Sequence, residues 1–337
     1  MRVTILGAGA MGSALTVPLS DNGHEVRLWF TEYDMGIWDA ISRGREHPRI
    51  GVRIPDCVKL YRPEDLNRAL EDSDCVVVAV SSRGVLPISK RIRGLVERDI
   101  PLVVVSKGIE VVEGEPLTMA GIVRRYAESE SVVYVSGPSL AAELGRRFPT
   151  HVVYSSERVE VASRLKREFE TDYYRIAVTD DVTGAELSAA MKNVYAIAYG
   201  VVDGMTSKKG GAYNNLKAAL ITIAVEEMAS VVEKCGGRRE TVFGLSGLGD
   251  LYVTAMGGRN SMLGRLIGGG MSVEEALEEM RKRGVGVVEG YQNAATLAKY
   301  LSARDINRET APLFYSVYSV LHEGLPSEGI IKALCKP

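Results

Sequence analysis

The chain of 337 residues has only four cysteines, four histidines and 7% aromatic residues. Cys57, Cys75, Cys235 and Cys335 form no CxxC pair, and four in so long a chain do not make a disulfide scaffold. His24, His47, His151 and His322 are equally scattered, and no HExxH or Cys/His cluster points to zinc or another metal. With few aromatics, the core must be aliphatic. Neither sign of charge dominates: 41 Lys and Arg against 43 Asp and Glu leave a net charge of −2. That excludes a general nucleic-acid binder while leaving room for a local basic pocket. Long apolar runs are missing too. Val194–Val202 is among the longest and falls far short of the roughly 20 residues that cross a bilayer. The opening MRVTILGAG lacks the apolar region and cleavage site of a secretory leader. The expectation is a reducing, cytoplasmic setting with no membrane insertion. Amides are scarce, with eight Asn and the single Gln292, and Arg outnumbers Lys 28 to 13. Both a heat-adapted source and a biased base composition produce that pattern.

What is present is ordinary globular composition, 46% hydrophobic and 25% charged, in a chain long enough for two domains. Val3–Leu6, Val26–Trp29, Cys75–Val80, Leu102–Val105, Val132–Val135 and Val152–Tyr154 read as strands. Several are apolar throughout, as in strands buried on both faces of a parallel sheet. Helical patterns alternate with them at Met11–Ser20, Glu64–Glu71, Val85–Val96, Leu117–Glu128 and Val159–Phe169. From Asp181 onward the pattern is helical only: Glu186–Val202, Tyr213–Glu233, Ser261–Ile267, Val273–Arg281, Glu289–Leu301 and Ala311–Glu323. The predicted architecture is α/β. A Rossmann-type domain over 1–179, with a doubly wound, mainly parallel sheet, precedes an all-helical substrate domain over 180–337.

Gly7-Ala8-Gly9-Ala10-Met11-Gly12 is GxGxxG placed after a strand and opening a helix. Gly7 permits the turn, Gly9 lets backbone approach a pyrophosphate, and Gly12 lets helix and strand close up. The helix N-terminus offers free N–H groups to the anion. An NAD site usually has an acid at the end of the second strand, about 20 residues on. Here that stretch is Phe30-Thr31, and Glu32 comes late. Thr31 suits either cofactor, and no Arg sits at the strand end. The reading leans to NADPH, with NADH accepted.

Four further segments are candidate linings. Lys107 follows the strand Leu102–Val105, at the end of a parallel strand where ligands bind, or is a solvated loop lysine. Gly137-Pro138-Ser139 follows Val132–Val135 and offers small residues with free N–H groups, unless Pro138 merely opens a helix. Lys192 sits in the helical pattern ELSAAMKN among apolar and small residues. Desolvation lowers the pKa of such a lysine and fits it to proton transfer, although a long stem can also snorkel outward. Asn193 adds a fixed hydrogen-bonding group. Asp250, after the glycine turn Gly247-Leu248-Gly249, can pair with a buried lysine or cap a helix. Gly257-Gly258-Arg259-Asn260 combines a helix start with planar cationic donors and suits a phosphate, or leaves a surface charge. None of the four histidines lies in a loop aimed at the ligand crevice.

Taken in order, GAGAMGSAL, SKGIE, SGPSLAAE, ELSAAMKNVYAIAYG, GLGDLYVT, GGRN and VVEG span residues 7 to 290. This series resembles the NAD(P)-dependent sn-glycerol-3-phosphate dehydrogenases of the bacterial type. The resemblance implies reduction of dihydroxyacetone phosphate to sn-glycerol 3-phosphate, for phospholipid synthesis, by a homodimer. It implies Lys192 as acid/base with Asp250 orienting it. It makes Lys107 a contact to substrate and cofactor, and Gly137, Ser139, Gly258, Arg259 and Asn260 substrate ligands. Ala10, Met11, Thr31, Ala141, Val287 and Glu289 match cofactor positions, with Arg259 near the cofactor as well. An aromatic is common where Met11 stands, and a basic residue where Thr31 stands in NADP-preferring members. Another two-domain dehydrogenase of the 3-hydroxyacid or ketopantoate type would need no phosphate-binding GGRN. A non-catalytic NAD(P) sensor would not need Lys192.

Overall fold

The computed structural model describes residues 1–208 and 210–334; Cys335 lies outside them. The strands are β1 Arg2–Leu6, β2 Glu25–Trp29, β3 Glu46–His47, β4 Val52–Arg53, β5 Lys59–Tyr61 and β6 Cys75–Val78. They continue with β7 Leu102–Val104, β8 Ile109–Val112, β9 Glu115–Thr118, β10 Val132–Ser136, β11 Thr150–Ser155 and β12 Tyr174–Thr179. Two compact units result. One holds residues 1–107 and 118–182; the other holds 108–117 and 183–337. The β8–β9 hairpin thus belongs mostly to the helical unit, and Ile109 is buried in that unit's core.

In the first unit eight strands form one sheet in the order β12-β11-β10-β7-β6-β1-β2-β5. All neighbours are parallel except β10 and β11. The stretch between those two holds only the single turn of helix Ala141–Leu144. A parallel return needs a crossover of a dozen or more residues, usually helical, so the chain comes back antiparallel. The core is Val, Ile and Leu on both faces, as the uniformly apolar β6 (CVVV, fully buried) requires. The chain runs outward from β1 through β2 to β5, then restarts at β6 on the other side. That reversal puts the carboxyl ends of β1 and β6 together, where open α/β sheets bind ligands.

Several elements differ from the sequence expectation. Edge strand β12 has an alternating buried and exposed pattern and no apolar run to announce it. Leu117 and Thr118 end β9 rather than open a helix; the helix starts at Met119, capped by the Thr118 hydroxyl, which accepts from Gly121 N–H. The β3–β4 hairpin and the helix Met35–Gly44 fill what read as loop.

The helical unit is built on Val182–Lys208 and Asn214–Lys234. Ser272 caps Val273–Lys282 in a reciprocal box with Glu275. Buried Glu227 accepts from the N–H groups of Leu313 and Phe314 and from the Tyr195 hydroxyl, tying the start of Pro312–His322 to the core. Burial raises its pKa above the ordinary carboxylate value, against those donors. The helix Arg259–Gly268 crosses Val182–Lys208 at backbone contact. A Cβ on Gly264 would sit 2.1 Å from the Ile197 carbonyl oxygen, and one on Gly200 2.1 Å from that of Ser261.

Candidate active site

Gly7 leaves β1 at φ +109, and a Cβ there would lie 2.8 Å from the Ala79 carbonyl oxygen just past β6. A Cβ on Gly12 would lie 2.0 Å from the Gly7 oxygen. Both positions therefore need glycine for close approach. Gly9 is different: a Cβ there would meet nothing within 4 Å, so the backbone faces open space. It precedes the helix Ala10–Asp21, which has no acid in its first turn and no side-chain cap. The first N–H groups of that helix have no intrahelical acceptor. An anionic diphosphate fits this concavity: open room, unspent donors and the positive end of a helix dipole.

The end of β2 is organised by Asp34. Its Oδ2 accepts from the N–H groups of Thr31 and Ala8, at 2.9 and 3.1 Å, and from the Thr31 hydroxyl at 2.8 Å. The Thr31 proton is thus spent on Asp34, and its oxygen remains an acceptor. Glu32 turns to Arg91, 2.7 Å away, and its own backbone N–H and that arginine keep its carboxyl below the usual range. Phe30 is fully buried with its ring against Trp38, so only its backbone is near the turn. His47 is also buried here. Burial first, then the charge of Arg49, depress its pKa, opposed by its own backbone, the backbone of Ala8 and the Asp34 carboxylate.

Two further loops leave the same sheet edge. Lys107 Nζ donates to the Gly137 carbonyl at 3.3 Å, and Gly137 takes φ +99, where a Cβ would press to 3.2 Å on the His151 carbonyl oxygen and on Val152 Cα. The Ser139 hydroxyl reaches the Met11 sulfur at 3.9 Å. Lys107, Gly137, Ser139 and Met11 are thereby brought beside the glycine turn, with Ala141 one turn of chain further on.

The helical unit carries its own cluster. Lys192 is 6% and Asp250 1% exposed, and the two are in direct ion-pair contact. Lys192 Nζ also donates to the Thr254 hydroxyl at 2.8 Å. The Thr254 hydroxyl in turn donates to the Asp250 carbonyl, one helical turn back. The segment before Asp250 is no flexible turn. Leu245–Gly249 is a π-helical turn, and a Cβ on Gly247 would lie 2.1 Å from the Val242 oxygen. Asp250 then begins the helix Asp250–Gly257, which places Asp250 and Thr254 on one face toward Lys192.

Next to Lys192, Asn193 Oδ1 accepts from Asn260 Nδ2 at 2.9 Å, and Asn260 Oδ1 accepts from Gly290 N–H at 2.9 Å. The Asn260 amide is spent on this brace. The Asn193 Nδ2, buried, has no hydrogen-bond partner among the described residues. Gly258 is the residue before the helix Arg259–Gly268, in extended conformation and without a side-chain cap, which leaves the first-turn N–H groups free. Arg259 is half exposed, 3.7 Å from Glu289, while Val287 is 54% exposed. Thr254 is the functional candidate that residue-by-residue reading passed over; its spacing of four from Asp250 is the signal. Among the described residues no group of three His, Cys, Asp or Glu gathers to hold a metal ion.

The doubly wound sheet with its glycine turn, and a helical unit holding a paired, buried lysine, define a nicotinamide-nucleotide dehydrogenase of the two-unit kind. Residues 2–162 match the N-terminal and 181–332 the C-terminal part of the NAD-dependent glycerol-3-phosphate dehydrogenase family, and the chain belongs to that family. It is 46% identical over 333 residues to the NADP(+)-dependent glycerol-3-phosphate dehydrogenase of Archaeoglobus fulgidus, covering 98% of each chain. The glycerol-3-phosphate dehydrogenase [NAD(P)+] of Carboxydothermus hydrogenoformans is 37% identical, over 97% of this chain and 94% of the other. Among solved structures, the glycerol-3-phosphate dehydrogenase of Coxiella burnetii superposes with a TM-score of 0.86 at 30% identity, over 99% of each chain.

Proposed function

We propose that the chain reduces dihydroxyacetone phosphate to sn-glycerol 3-phosphate, reversibly, with NADPH preferred and NADH accepted. The observation that carries this is Lys192: a buried ammonium fixed by Asp250 and Thr254, with the unspent Nδ2 of Asn193 on the next residue of the same helix. With the dinucleotide held by its diphosphate at the Gly7–Gly12 turn, its reduced nicotinamide would supply a hydride for C2 of the substrate. Lys192 Nζ gives a proton to the C2 oxygen as the alkoxide forms, and Asp250 holds the ammonium in line. Asn193 Nδ2 and Lys107 supply further donors to that oxygen, charge stabilisation that costs no reorganisation. The free N–H groups at Arg259 and Asn260, with the Arg259 guanidinium, take the phosphate and so fix the carbonyl for transfer. Gly137 and Ser139 line the substrate. Ala10, Met11, Thr31, Ala141, Val287 and Glu289 line the cofactor. The NADPH preference is supported by the commitment of Glu32 and Asp34 to protein donors, and by the NADP(+)-dependence named for the Archaeoglobus relative.

The product would serve as the backbone of membrane glycerophospholipids, made by a cytoplasmic homodimer. No described helix is long and apolar enough to cross a membrane. The deciding experiment follows NADPH consumption with dihydroxyacetone phosphate and with unphosphorylated dihydroxyacetone. Turnover should require the phosphate, and Arg259→Ala should raise the apparent KM for the phosphorylated substrate while largely sparing kcat. Equal turnover of both ketones overturns the reading.

A further inference from the structure

The end of β2 lacks an arginine in sequence, yet the fold brings several close. Arg91 pairs with Glu32, donates to the Pro63 carbonyl and lies over the Trp29 ring. Arg62 lies over Trp38, 4.5 Å from the ring centre. Arg45 donates to the Val58 carbonyl. Arg49 differs from these three. Its backbone N–H donates to His47 Nδ1, and its guanidinium makes no hydrogen bond or ion pair among the described residues.

Arg49 is also held in place. It sits in the turn of the β3–β4 hairpin, where the N–H groups of Ile50 and Gly51 both donate to the His47 carbonyl and Gly51 takes φ +58. The hairpin is anchored by His47, Val52 and Ile54, all essentially without solvent exposure. The His47 ring lies within the electrostatic reach of Arg49, of Asp34 and of the Ala8 backbone. Its buried Nε2 has no hydrogen-bond partner among the described residues. The turn that carries Arg49 is thereby tied to the Ala8–Thr31–Asp34 junction, where the adenosine ribose of a dinucleotide rests in this fold.

We infer that Arg49 is the specificity-determining cation for a 2′-phosphorylated ribose, delivered by the β3–β4 hairpin instead of by the end of β2. The charge arithmetic favours this group. Asp34 is saturated on Oδ2 by three protein donors and Glu32 is paired, so neither needs the ribose hydroxyls as partners. A lone guanidinium on an ordered turn matches a phosphate by its planar fork.

The inference rests on the dinucleotide reading of the glycine turn, and its test separates the two. Adenosine 2′,5′-bisphosphate and 5′-AMP are titrated calorimetrically into the full-length protein and into the variants Arg49→Gln and Arg53→Gln. Arg53 stands on the same hairpin, exposed and paired with Asp56. The wild-type protein should bind the bisphosphate more tightly. Arg49→Gln should weaken it by about tenfold or more, leave 5′-AMP unchanged, and shift the ratio of kcat/KM toward NADH. Arg53→Gln should change neither. If Arg49→Gln keeps the preference for the bisphosphate, or if the wild type has none, Arg49 is not the determinant. If the wild type binds neither nucleotide, the dinucleotide site itself is wrong.

Discussion

In the nucleotide-binding unit Gly9 looks onto open space, whereas in the helical unit Gly200, Gly204, Gly264 and Gly268 leave none: each would place a Cβ about 2 Å from a carbonyl of the facing helix. The same residue type serves opposite ends. Around Gly9 the protein withholds atoms, so backbone N–H groups are the chemistry and a ligand completes the surface. In the helical unit the glycines bring two backbones together, and the crossing aligns Asn260 with Asn193 beside Lys192. There the chemistry lies in buried side chains braced on one another. A site of the first kind should tolerate small changes in stability terms and lose ligand. A site of the second kind should lose chemistry or fold.

The largest effect is expected at Lys192. Lys192→Ala removes the proton donor and leaves the Asp250 carboxylate buried without its partner. Turnover should fall by about 10²–10⁴-fold, while the nucleotide-binding unit keeps its affinity for NADPH. Equal loss of NADPH affinity would show that the lysine cluster and the glycine turn are not separable.

A smaller effect, and a sharper comparison, comes from adding one methyl group to each kind of glycine. Gly264→Ala forces a Cβ to 2.1 Å from the Ile197 oxygen, and overpacking of that sort costs about 1–3 kcal/mol. The melting temperature should drop, with kcat following as Asn260 moves. Gly9→Ala has a permissive φ of −64 and free space, so stability should stay within about 0.5 kcal/mol while dinucleotide affinity falls. A stable Gly264→Ala or an unstable Gly9→Ala breaks the contrast.

These differences also explain what the sequence shows and what it hides. The buried parallel strands and the glycine turn are legible because their signals are local: apolar runs such as CVVV, and three glycines at fixed spacing. Edge strand β12 is not, because half its residues face solvent and dilute the run. Lys192 is legible as an anomaly, a charge in an apolar helix. Its partnership with Thr254 is hidden until the π-turn sets the phase of the helix that bears it. The spacing Gly200-x-x-x-Gly204 against Gly264-x-x-x-Gly268 was available to reading and marks the helix crossing. The Asp34 carboxylate is hidden for another reason: it reaches Ala8 by folding a 3-10 turn back on β2.

Thr254 sharpens the comparison within the helical cluster. Thr254→Val keeps the shape and removes one of the contacts that orient Lys192 Nζ. The expected result is a drop of about tenfold in kcat, the order of one lost hydrogen bond to a charged group, with little change in KM. A change confined to KM would move Thr254 from proton delivery to substrate binding.

The smallest effect concerns His47, the buried group beside the glycine turn. Burial and the Arg49 charge hold its pKa below the ordinary value in the folded chain. Between that lowered value and about 6.5, where an unfolded histidine titrates, the unfolded state binds more protons than the folded one. Stability therefore rises with pH through this window, and it is lost as pH falls below about 6.5. Denaturant unfolding at pH 7.5 and 5.5 measures the loss, which carboxylates elsewhere share in both proteins. His47→Asn keeps an acceptor for the Arg49 N–H but cannot titrate, so it should lose less stability on acidification than the wild type. Identical losses would mean that His47 takes up its proton as readily in the folded chain as in the unfolded one, and that the junction binding the hairpin to Ala8 is wetter than its burial indicates.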